Sequence, residues 1–379
     1  LYMKKEESRV VLALSGTGNF KHVDKNDFVI SLRSFQGGIE RCFYEGCVSP
    51  AYTVLKPNQV INHDFWAYLF KSTLYISALN TAVDGIREGK TISYTNFGEI
   101  YVNIPTLSEQ AQIANFLDTE TTRIDNLIAK QEKLIELLEE QRKSIISHAV
   151  TKGLDPNAPM KDSGVEWLGE VPKHWEIMRL EEASKIIRGN SGFSKGDLLE
   201  KGKYVALQYG RTYKVNEIND SFISYVNEEF FKSNQVATIG DTVLISTSET
   251  IEDLGHSCFY NRQDLGLIGG EQFLLKPSTD KIFNKYLFYS SKVFSRYLQK
   301  YATGTKVFRF NFIDLKTVYL PKFSQDEQQR IVSFLDSENS RIDSLIMKQQ
   351  DLIKNLKEYR SSIISHAVTG KIDVREYAE

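Results

Sequence analysis

The sequence lacks the features that mark membrane and disulfide-stabilised proteins. Its N-terminus, LYMKKEESRVVLAL, has too short an apolar run for a secretory signal, and no stretch reaches the roughly 18 apolar residues of a membrane span. The three cysteines, Cys42, Cys47 and Cys258, are odd in number and have no nearby histidine pair. We therefore expect reduced, buried thiols in a soluble, cytoplasmic protein.

Catalytic motifs are also missing. None of the eight prolines precedes an aspartate, no GxSxG motif occurs, and SPAY (49–52) has the wrong first half for an NPPY-type adenine methyltransferase motif. The stretch DGIREGKT (84–91) ends like a phosphate-binding loop, but three residues separate its glycines instead of four, and it follows a helical segment. The six histidines have no metal-ligand spacing. We predict a non-catalytic chain with no metal site.

A marked excess of charge is absent too. The net charge is −2 over 379 residues, which argues mildly against nucleic-acid binding by charge alone, although acidic helices could mask local basic patches. The length suits two globular domains with additional helical parts.

What the sequence does contain is a long internal repeat. Residues 116–151 and 334–369 are identical at 24 of 36 positions without a gap, at a constant offset of 218 (341 − 123 for the shared arginine). This length is far above solenoid periods, so one large unit occurs twice.

Each copy carries apolar residues at heptad spacing, which predicts a long helix with an interface along one side. The predicted interface residues are Ile124, Leu127, Leu134, Leu138 and Ile145 in the first copy and Ile342, Leu345, Leu352, Leu356 and Ile363 in the second. His148 and His366 fall at interface positions as well. We favour an antiparallel pair within one chain, because it covers both interfaces without a second chain; pairing with another copy stays open.

The segments before the two helices are also related. DFVISL near Asp27 matches DTVLIS near Asp241, VLKP at Lys56 matches LLKP at Lys276, and AYLFKS matches KYLFYS. Strands are predicted at 10–14, 27–32 and 51–55 and one helix at 65–82. Only 26 residues precede Asp27, against 67 between His174 and Asp241. We expect about 40 residues to be missing from the front of the first module, or else a shorter first domain.

Local signals mark where the long helices begin and end. Ser108 follows Ile104 and Pro105, and Ser324 follows Leu320 and Pro321. Glu327 lies three residues after Ser324, which predicts a capping box. The helices would be roughly 40 residues, or about 60 Å, long. The stretch 151–175 reads as an extended connector with an aromatic anchor, Trp167.

Together these features resemble the specificity subunit of type I restriction-modification systems. The resemblance covers essentially the whole chain and rests on the duplicated modules, the RSIISHAVT-type helix ends and the EWLGEVPKHWEIMRL opening of the second module. It implies α/β (α+β) target-recognition domains in two copies, each followed by a long helix, with the helices paired as an antiparallel coiled coil.

The resemblance also implies a domain order. Target-recognition domain 1 would cover 1–104 and be N-terminally incomplete, the first conserved helical region 105–152, the linker 153–174, target-recognition domain 2 175–321, and the second helical region with the tail 322–379.

In that family the subunit reads a bipartite DNA target, one domain per half-site, with half-sites about one helical turn, roughly 34 Å, apart. The helices would bind two methyltransferase subunits, and restriction/translocase subunits would join a larger complex. No cofactor is expected on this chain. S-adenosylmethionine would belong to the methyltransferase partner, and ATP and Mg²⁺ to the restriction partner.

Candidate DNA contacts are polar, basic and aromatic residues in predicted loops, because Arg can hold guanine, Asn or Gln adenine, and Lys phosphate. They are Arg33, Ser34, Gln36, Lys90 and Tyr94 in the first module and Arg188, Asn190, Tyr209, Arg211, Tyr213, Lys306 and Arg309 in the second. A structural or merely solvent-exposed role is the alternative for each. A different class of function, an assembly scaffold that binds methyltransferase subunits without reading DNA, also fits the sequence.

Overall fold

The structure is a computed structural model that describes residues 17–30, 38–82 and 94–375. It divides into two compact units, 1–135 with 347–379 and 136–346, so each long helix contributes one segment to each unit. Within the described residues, no helix combines the length and the apolar character needed to cross a bilayer. The predicted strand at 10–14 lies outside the described residues.

The first unit contains short strands followed by helices. Its elements are β1 (Lys21–Val23), β2 (Phe28–Ile30), β3 (Ile39–Arg41), β4 (Gly46–Val48), β5 (Thr53–Leu55), α1 (His63–Lys71), α2 (Thr73–Ala82), α3 (Tyr94–Gly98) and the first part of α4 (Leu107–Lys152). The strands form an antiparallel sheet in the order β3-β2-β5 and a β1-β4 pair. Phe28, Ile30 and Ile39 from the sheet pack on Phe70 and Leu79 from the helices.

The helix predicted at 65–82 is two helices, because the chain breaks at Ser72. Ser72 is extended (ψ 143°), and its hydroxyl donates to Leu69 O at 2.7 Å. The break leaves the amide of Thr73 without a helical acceptor, and Ser365 Oγ accepts from it at 3.0 Å. A contact with a residue distant in sequence therefore fixes a break that local helix propensity does not predict.

The second unit is larger and richer in strands. Its elements are the end of α4, β6 (Met160–Asp162), β7 (Glu170–Pro172), β8 (Glu176–Arg179), α5 (Leu180–Ala183), β9 (Ser184–Arg188), β10 (Tyr204–Leu207), α6 (Tyr209–Thr212), β11 (Glu217–Ile218), β12 (Tyr225–Val226), β13 (Val236–Ala237), β14 (Thr242–Ile245), β15 (Thr247–Ser248), β16 (Ser257–Tyr260), β17 (Gly266–Ile268), β18 (Gln272–Pro277), α7 (Asn284–Leu298), β19 (Phe308–Arg309), α8 (Phe312–Leu315), β20 (Tyr319–Lys322) and the first part of α9 (Gln325–Val368).

Two sheets form the body of this unit. One has the order β11-β16-β14-β18-β9 and is antiparallel except at β11-β16; the other has the order β12-β10-β17-β13 with β10 and β17 parallel. The pairs β15-β19, β8-β20 and β6-β7 complete it. The main core joins the first sheet to α7 and to α4 and α9, with Trp175, Tyr286, Leu287 and Phe294 fully buried.

The match between modules that the sequence predicted reappears in the contacts. Asp27 before β2 binds Lys56 Nζ at 3.1 Å, and Asp241 before β14 binds Lys276 Nζ at 2.6 Å. Both aspartates also accept a backbone amide from three residues earlier, at 2.9 and 2.8 Å. The central strand is therefore tied to its neighbour in the same way in each unit.

Within each unit, a segment of α4 packs on a segment of α9. In the first unit Asp125 accepts two hydrogen bonds from Arg360, at 2.9 and 3.1 Å. In the second, Arg142 donates to Asp343 at 2.5 Å. These are repeat-equivalent pairs, because 125 + 218 = 343 and 142 + 218 = 360. The same contact is thus formed once per unit with the roles of the helices exchanged.

The predicted helix interface needs a correction. Ile124, Leu138, Ile342 and Ile363 are buried, and Ile145, Leu345 and Leu356 are half-buried. Leu127, Leu134 and Leu352 are exposed, as are His148 and His366. The inward-facing positions beside the Ile124 series are instead Thr121, Ile128, Ile135, Arg142 and Ala149. The sequence is compatible with an interface through Leu127 and Leu134 or with one through Ile128 and Ile135, because these apolar residues are adjacent in the chain.

The helix starts also differ from the prediction. α4 is capped by Thr106, two residues before the predicted Ser108, through a reciprocal capping box: Glu109 N donates to Thr106 Oγ1 at 3.3 Å and Thr106 N donates to the Glu109 carboxylate at 2.9 Å. Hydrogen bonds from the Thr106 hydroxyl and backbone amide lower the pKa of the Glu109 carboxyl. At α9, Glu327 N donates to Ser324 Oγ at 3.4 Å, which is half of the predicted box. The Glu327 carboxylate accepts instead from Trp175 Nε1 at 3.1 Å.

The helices are 46 and 44 residues long, slightly longer than expected. The cysteines are unpaired, as predicted; Cys258 is buried and Cys42 half-buried, but Cys47 is exposed, so the expectation of three buried thiols is wrong for Cys47.

Candidate nucleic-acid interface

Each module is joined to its following helix by one buried glutamine. In the first unit, Gln110 on α4 accepts from Asn62 N at 3.0 Å and donates to Pro105 O at 3.0 Å. In the second, Gln328 on α9 accepts from Phe283 N at 2.7 Å and donates to Phe323 O at 3.0 Å. The two glutamines are 2% and 0% exposed. Each therefore ties the start of the module's main helix to the start of the long helix.

A second contact reinforces each joint. Asp118 on α4 accepts from Tyr68 OH at 2.7 Å. Its repeat equivalent on α9, Asp336, accepts from Tyr289 OH and from Lys285 Nζ, the latter at 2.8 Å. Both units therefore have an aspartate at this position of the long helix, but its hydrogen-bond donors on the module helix differ. Any surface that a module presents is held rigidly on its long helix.

In the second module, three loops meet at the start of β18, where Glu271 and the buried Gln272 lie. Gln272 opens β18, is 1% exposed, and lies 2.6 Å from Thr212 Oγ1 at the end of α6. With its amide oriented to satisfy both ends, it also donates to Leu207 O at 2.8 Å and accepts from Tyr209 N at 3.2 Å. Through these bonds the buried Gln272 side chain holds the 207–212 turn against β18.

The turn supported by Gln272 carries three of the predicted contact residues. Gln208 caps α6 by accepting from Arg211 N at 3.2 Å, so the short helix forms at a fixed place. Arg211 is exposed and Tyr209 half-buried. The Tyr209 and Tyr213 rings lie 6.2 Å apart and tilted. The turn therefore presents a guanidinium and aromatic faces, groups that contact bases and sugar–phosphate backbones.

The loop after β9 lies beside the same strand. Arg188 pairs with Phe273 in the β9–β18 register, and Gly189 N donates to Gln272 O at 2.9 Å. Gly189 is buried, and an added Cβ would lie 1.8 Å from Gly269 O, so only glycine fits this crossing. Arg188 and Asn190 on either side of it are exposed. The backbone crossing projects both side chains outward.

A third loop reaches the site through β15 and β19. Ser246 N donates to Glu271 O at 3.0 Å, and Thr247 pairs with Arg309 in the β15–β19 register. Arg309 and Thr303 exchange backbone hydrogen bonds of 3.0 Å, which closes a hairpin around Gly304. Gly304 has φ +119°, where a Cβ would meet Val307 O. Arg309 and, at the hairpin tip, Lys306 are exposed.

The structure thus brings together the predicted residues of the second module. We call them the recognition surface, which consists of Arg188, Asn190, Tyr209, Arg211, Tyr213, Lys306 and Arg309. In the first module, Arg33, Ser34, Gln36 and Lys90 lie outside the described residues, as does the DGIREGKT stretch. Tyr94 is 69% exposed and stacks on Phe97 with ring centroids 6.3 Å apart.

Two residues at the centre of this arrangement escaped the sequence analysis. Gln272 is a buried polar residue inside a strand, which hydrophobic periodicity does not reveal. Glu271 is exposed and has φ +63°, a left-handed conformation that is uncommon for a side chain other than glycine. The preceding Gly269-Gly270 pair was the available signal, because adjacent glycines mark turns and close backbone approach.

Known proteins share both the sequence pattern and the fold. A model of the type I restriction modification DNA specificity domain matches residues 3–139 and 172–355. The type I restriction enzyme MjaVIII specificity subunit of Methanocaldococcus jannaschii is 25% identical over 370 residues, covering 93% of this chain and 80% of that protein. The EcoKI specificity subunit of Escherichia coli is 22% identical and covers 86% and 69%, respectively.

Solved structures agree in fold. A chain from a study of complex assembly and conformational transition of the type I R-M system matches with a TM-score of 0.70 at 17% identity, covering 93% of this chain and 84% of that one. The HsdS subunit from Thermoanaerobacter tengcongensis matches with a TM-score of 0.53 at 17% identity, covering 93% and 82%. Because the family model matches most of the sequence in two regions, one per module, the chain belongs to the specificity subunits of type I restriction-modification systems, which recognise DNA and are not catalytic.

Proposed function

We propose that this chain reads a bipartite DNA target, with one half-site per module, and that its long helices scaffold adenine methyltransferase subunits. The observation that carries the proposal is the convergence of three loops on Glu271 and Gln272, at the start of β18. That convergence gives the second module a rigid surface rich in Arg, Asn and Tyr, the side chains that read base edges and hold the backbone.

The first module would use Arg33, Ser34, Gln36, Lys90 and Tyr94 for its own half-site. The two modules share the glutamine joint but differ in the sequences of their predicted contact segments, which suits two readers of different sequences. The domain order given above, with target-recognition domains at 1–104 and 175–321, is part of the proposal, as is a location in the cytoplasm, where host DNA lies.

The long helices would pair as one antiparallel coiled coil. The repeat-equivalent contacts Asp125–Arg360 and Arg142–Asp343 support this, since an antiparallel pair related by a two-fold axis makes each contact twice. Leu127, Leu134 and Leu352 remain exposed on these helices and are available for docking of methyltransferase subunits. S-adenosylmethionine would be bound by those partners, and ATP and Mg²⁺ by the restriction subunits.

The test uses the chain in complex with its methyltransferase and compares wild type with Arg211→Ala. We expect binding to fall roughly 5- to 150-fold on DNA with both half-sites intact, because a base contact of this kind is worth about 1–3 kcal/mol. DNA with a scrambled second half-site should show little change. The measurement is Kd by titration at fixed salt, with nuclease footprinting of the wild-type complex.

Arg296→Ala is the matched control, because it removes the same charge from an exposed residue on α7 outside the recognition surface. Equal loss for Arg211→Ala on all sequences would make Arg211 a phosphate contact. A wild-type complex that protects no bipartite site would refute the reading function and leave an assembly scaffold.

A further inference from the structure

Glu271 is an acidic residue next to the arginine, lysine, asparagine and tyrosine side chains of the recognition surface. It lies between Gly270 and Gln272, and Gln272 is the buried residue that supports the 207–212 turn of the recognition surface. Its backbone carbonyl accepts from Ser246 N at 3.0 Å, and Arg188 pairs with Phe273 only two residues away in the chain. Glu271 is exposed.

The backbone conformation of Glu271 carries a cost that glycine would avoid. At φ +63° an L-residue is destabilised by about 1–2 kcal/mol relative to right-handed conformations. The chain has glycine immediately before it: at Gly269 an added Cβ would lie 2.9 Å from Leu207 O, so glycine is required there, whereas Gly270 has open space. A side chain retained at a strained position is grounds for a functional hypothesis.

The carboxylate of Glu271 makes no salt bridge or side-chain hydrogen bond with any residue in 17–30, 38–82 or 94–375. Arg188 on the adjacent strand β9 and Arg309 on β19 do not form an ion pair with it. A carboxylate that faces DNA is repelled by the phosphates, so its presence is favourable only if it receives a hydrogen bond from a base. Glu271 therefore adds a negatively charged acceptor beside the cationic donors of the surface.

The edges of the bases determine which one a carboxylate can accept from. In the major groove cytosine presents the N4 amino donor, whereas guanine presents the acceptors N7 and O6, and thymine presents the acceptor O4 and a methyl group. Adenine presents the N6 donor next to the N7 acceptor, whose lone pair opposes the second carboxylate oxygen. Cytosine offers a donor without that opposing acceptor.

We propose that Glu271 is a specificity-determining residue that accepts a hydrogen bond from N4 of a cytosine in the half-site read by the second module. This inference rests on the proposed function. It assigns a G·C pair to one position of that half-site and places the cytosine-bearing strand opposite Glu271.

The experiment compares wild type, Glu271→Gln and Glu271→Gly in the complex with the methyltransferase, using a DNA library randomised over both half-sites and sequencing of the methylated products. In both variants we expect the preference for cytosine at one position of one half-site to fall about tenfold, the usual cost of one mismatched pair. All other positions should keep their preferences.

The two substitutions distinguish a loss of base preference from a loss of stability. Glu271→Gly removes the carboxylate and also relieves the left-handed strain, so its melting temperature should equal or exceed that of wild type. Glu170→Gln is the matched control, because Glu170 is exposed on β7 in the connector hairpin. It should leave the motif and the melting temperature unchanged.

Two outcomes would overturn the inference while leaving the proposed function intact. One is a motif unchanged in both Glu271 variants. The other is loss of preference at an A·T pair instead of a G·C pair. If the wild-type complex itself shows no bipartite preference, the proposed function fails and the inference with it, which is a distinct result.

Discussion

Gln110 and Gln328 stand 218 residues apart (328 − 110) and have the same contacts in the first and second units. Each accepts from the backbone amide that precedes or opens the module's main helix and donates to a carbonyl just before its own long helix. Asp118 and Asp336, and the pairs Asp125–Arg360 and Asp343–Arg142, repeat in the same way. What is duplicated is therefore the joint between module and helix and the packing of helix on helix.

The units differ at equivalent positions outside these shared contacts. The helix after the sheet is broken at Ser72 in the first unit and continuous through Ser290 in the second. Glu109 caps its own helix, whereas Glu327 binds Trp175 from the connector. Lys292, which lies over the Phe288 ring at 4.9 Å, has Leu74 as its repeat equivalent. The comparison indicates that the frame is constrained to remain constant and that the modules are free to vary.

The largest expected effect tests the shared helix packing. Ile124→Ala and Ile342→Ala remove buried, repeat-equivalent side chains that are 2% and 0% exposed. Each should lower the free energy of unfolding by about 2–5 kcal/mol, because the substitution loses buried area and leaves a cavity. Leu134→Ala and Leu352→Ala, 39% and 41% exposed, should cost less than about 1 kcal/mol. Urea unfolding followed by circular dichroism measures all four.

Equal losses at the four positions would reinstate the original interface assignment. A large loss for Ile342 with none for Ile124 would instead show that the two units do not share one packing mode, which would contradict the comparison directly.

The next effect probes a difference between the modules. The pKa of Lys292 is lowered to about 8, chiefly by burial and also by the Arg142 guanidinium, while Cys258 and Glu139 oppose the shift. The folded state then loses its proton before the unfolded state, whose lysine titrates near 10.5. Stability relative to a Lys292→Met variant should therefore rise as pH increases from about 8 to 10.5, by up to about 3 kcal/mol.

The check is the difference in melting temperature between wild type and Lys292→Met across that pH range. Leu74→Met in the first module is the control, since it places the same side chain at the equivalent position without changing charge. A difference that stays constant or falls with pH would mean that Lys292 keeps an ordinary pKa in the folded protein.

The sequence predicted what repetition and periodicity encode and missed what depends on contacts between distant residues. The long helices, the matched Asp27–Lys56 and Asp241–Lys276 positions and the family were all predicted correctly. The helix interface phase was not, because adjacent Leu127 and Ile128 make both phases equally apolar and only packing chooses between them. The break at Ser72 was missed for a similar reason, since the acceptor that stabilises it, Ser365, lies 292 residues from Thr73.

In the recognition surface, the side chains of Arg188, Arg211 and Arg309 are exposed, and their contact with DNA stays a prediction. The predicted loop positions were wrong, because Arg188 ends β9, Arg211 lies in α6 and Arg309 lies in β19. Gln272 was not identified, because a polar residue in a strand reads as a solvent-facing position until the structure shows it buried against Thr212. Glu271 was not predicted, because the candidate DNA contacts were polar, basic and aromatic residues, and phosphates repel an acidic side chain.

The smallest expected effect tests the joints themselves. Gln328→Ala leaves the amide of Phe283 and the carbonyl of Phe323 without their partner, and Gln110→Ala does the same to Asn62 and Pro105. Each should lower the free energy of unfolding by about 1–3 kcal/mol, the cost of unsatisfied buried polar groups. Gln328 should lie at the upper end, because it is fully buried and also approaches Lys281 O at 3.5 Å.

The neighbouring exposed residue supplies the control for this joint, since Gln329→Ala removes the same side chain from the solvent-facing side of α9 and should change stability by less than about 0.5 kcal/mol. Loss of the Gln328 hydrogen bonds should also affect how strictly the protein selects the spacer between the half-sites. If Gln328 fixes the second module on its helix, Gln328→Ala should raise methylation of DNA with a spacer one base pair too long or too short, relative to the native spacer. Loss of stability with undiminished spacer discrimination would make the glutamine a packing element only, and the precision of the reader would then have to come from the helix pair.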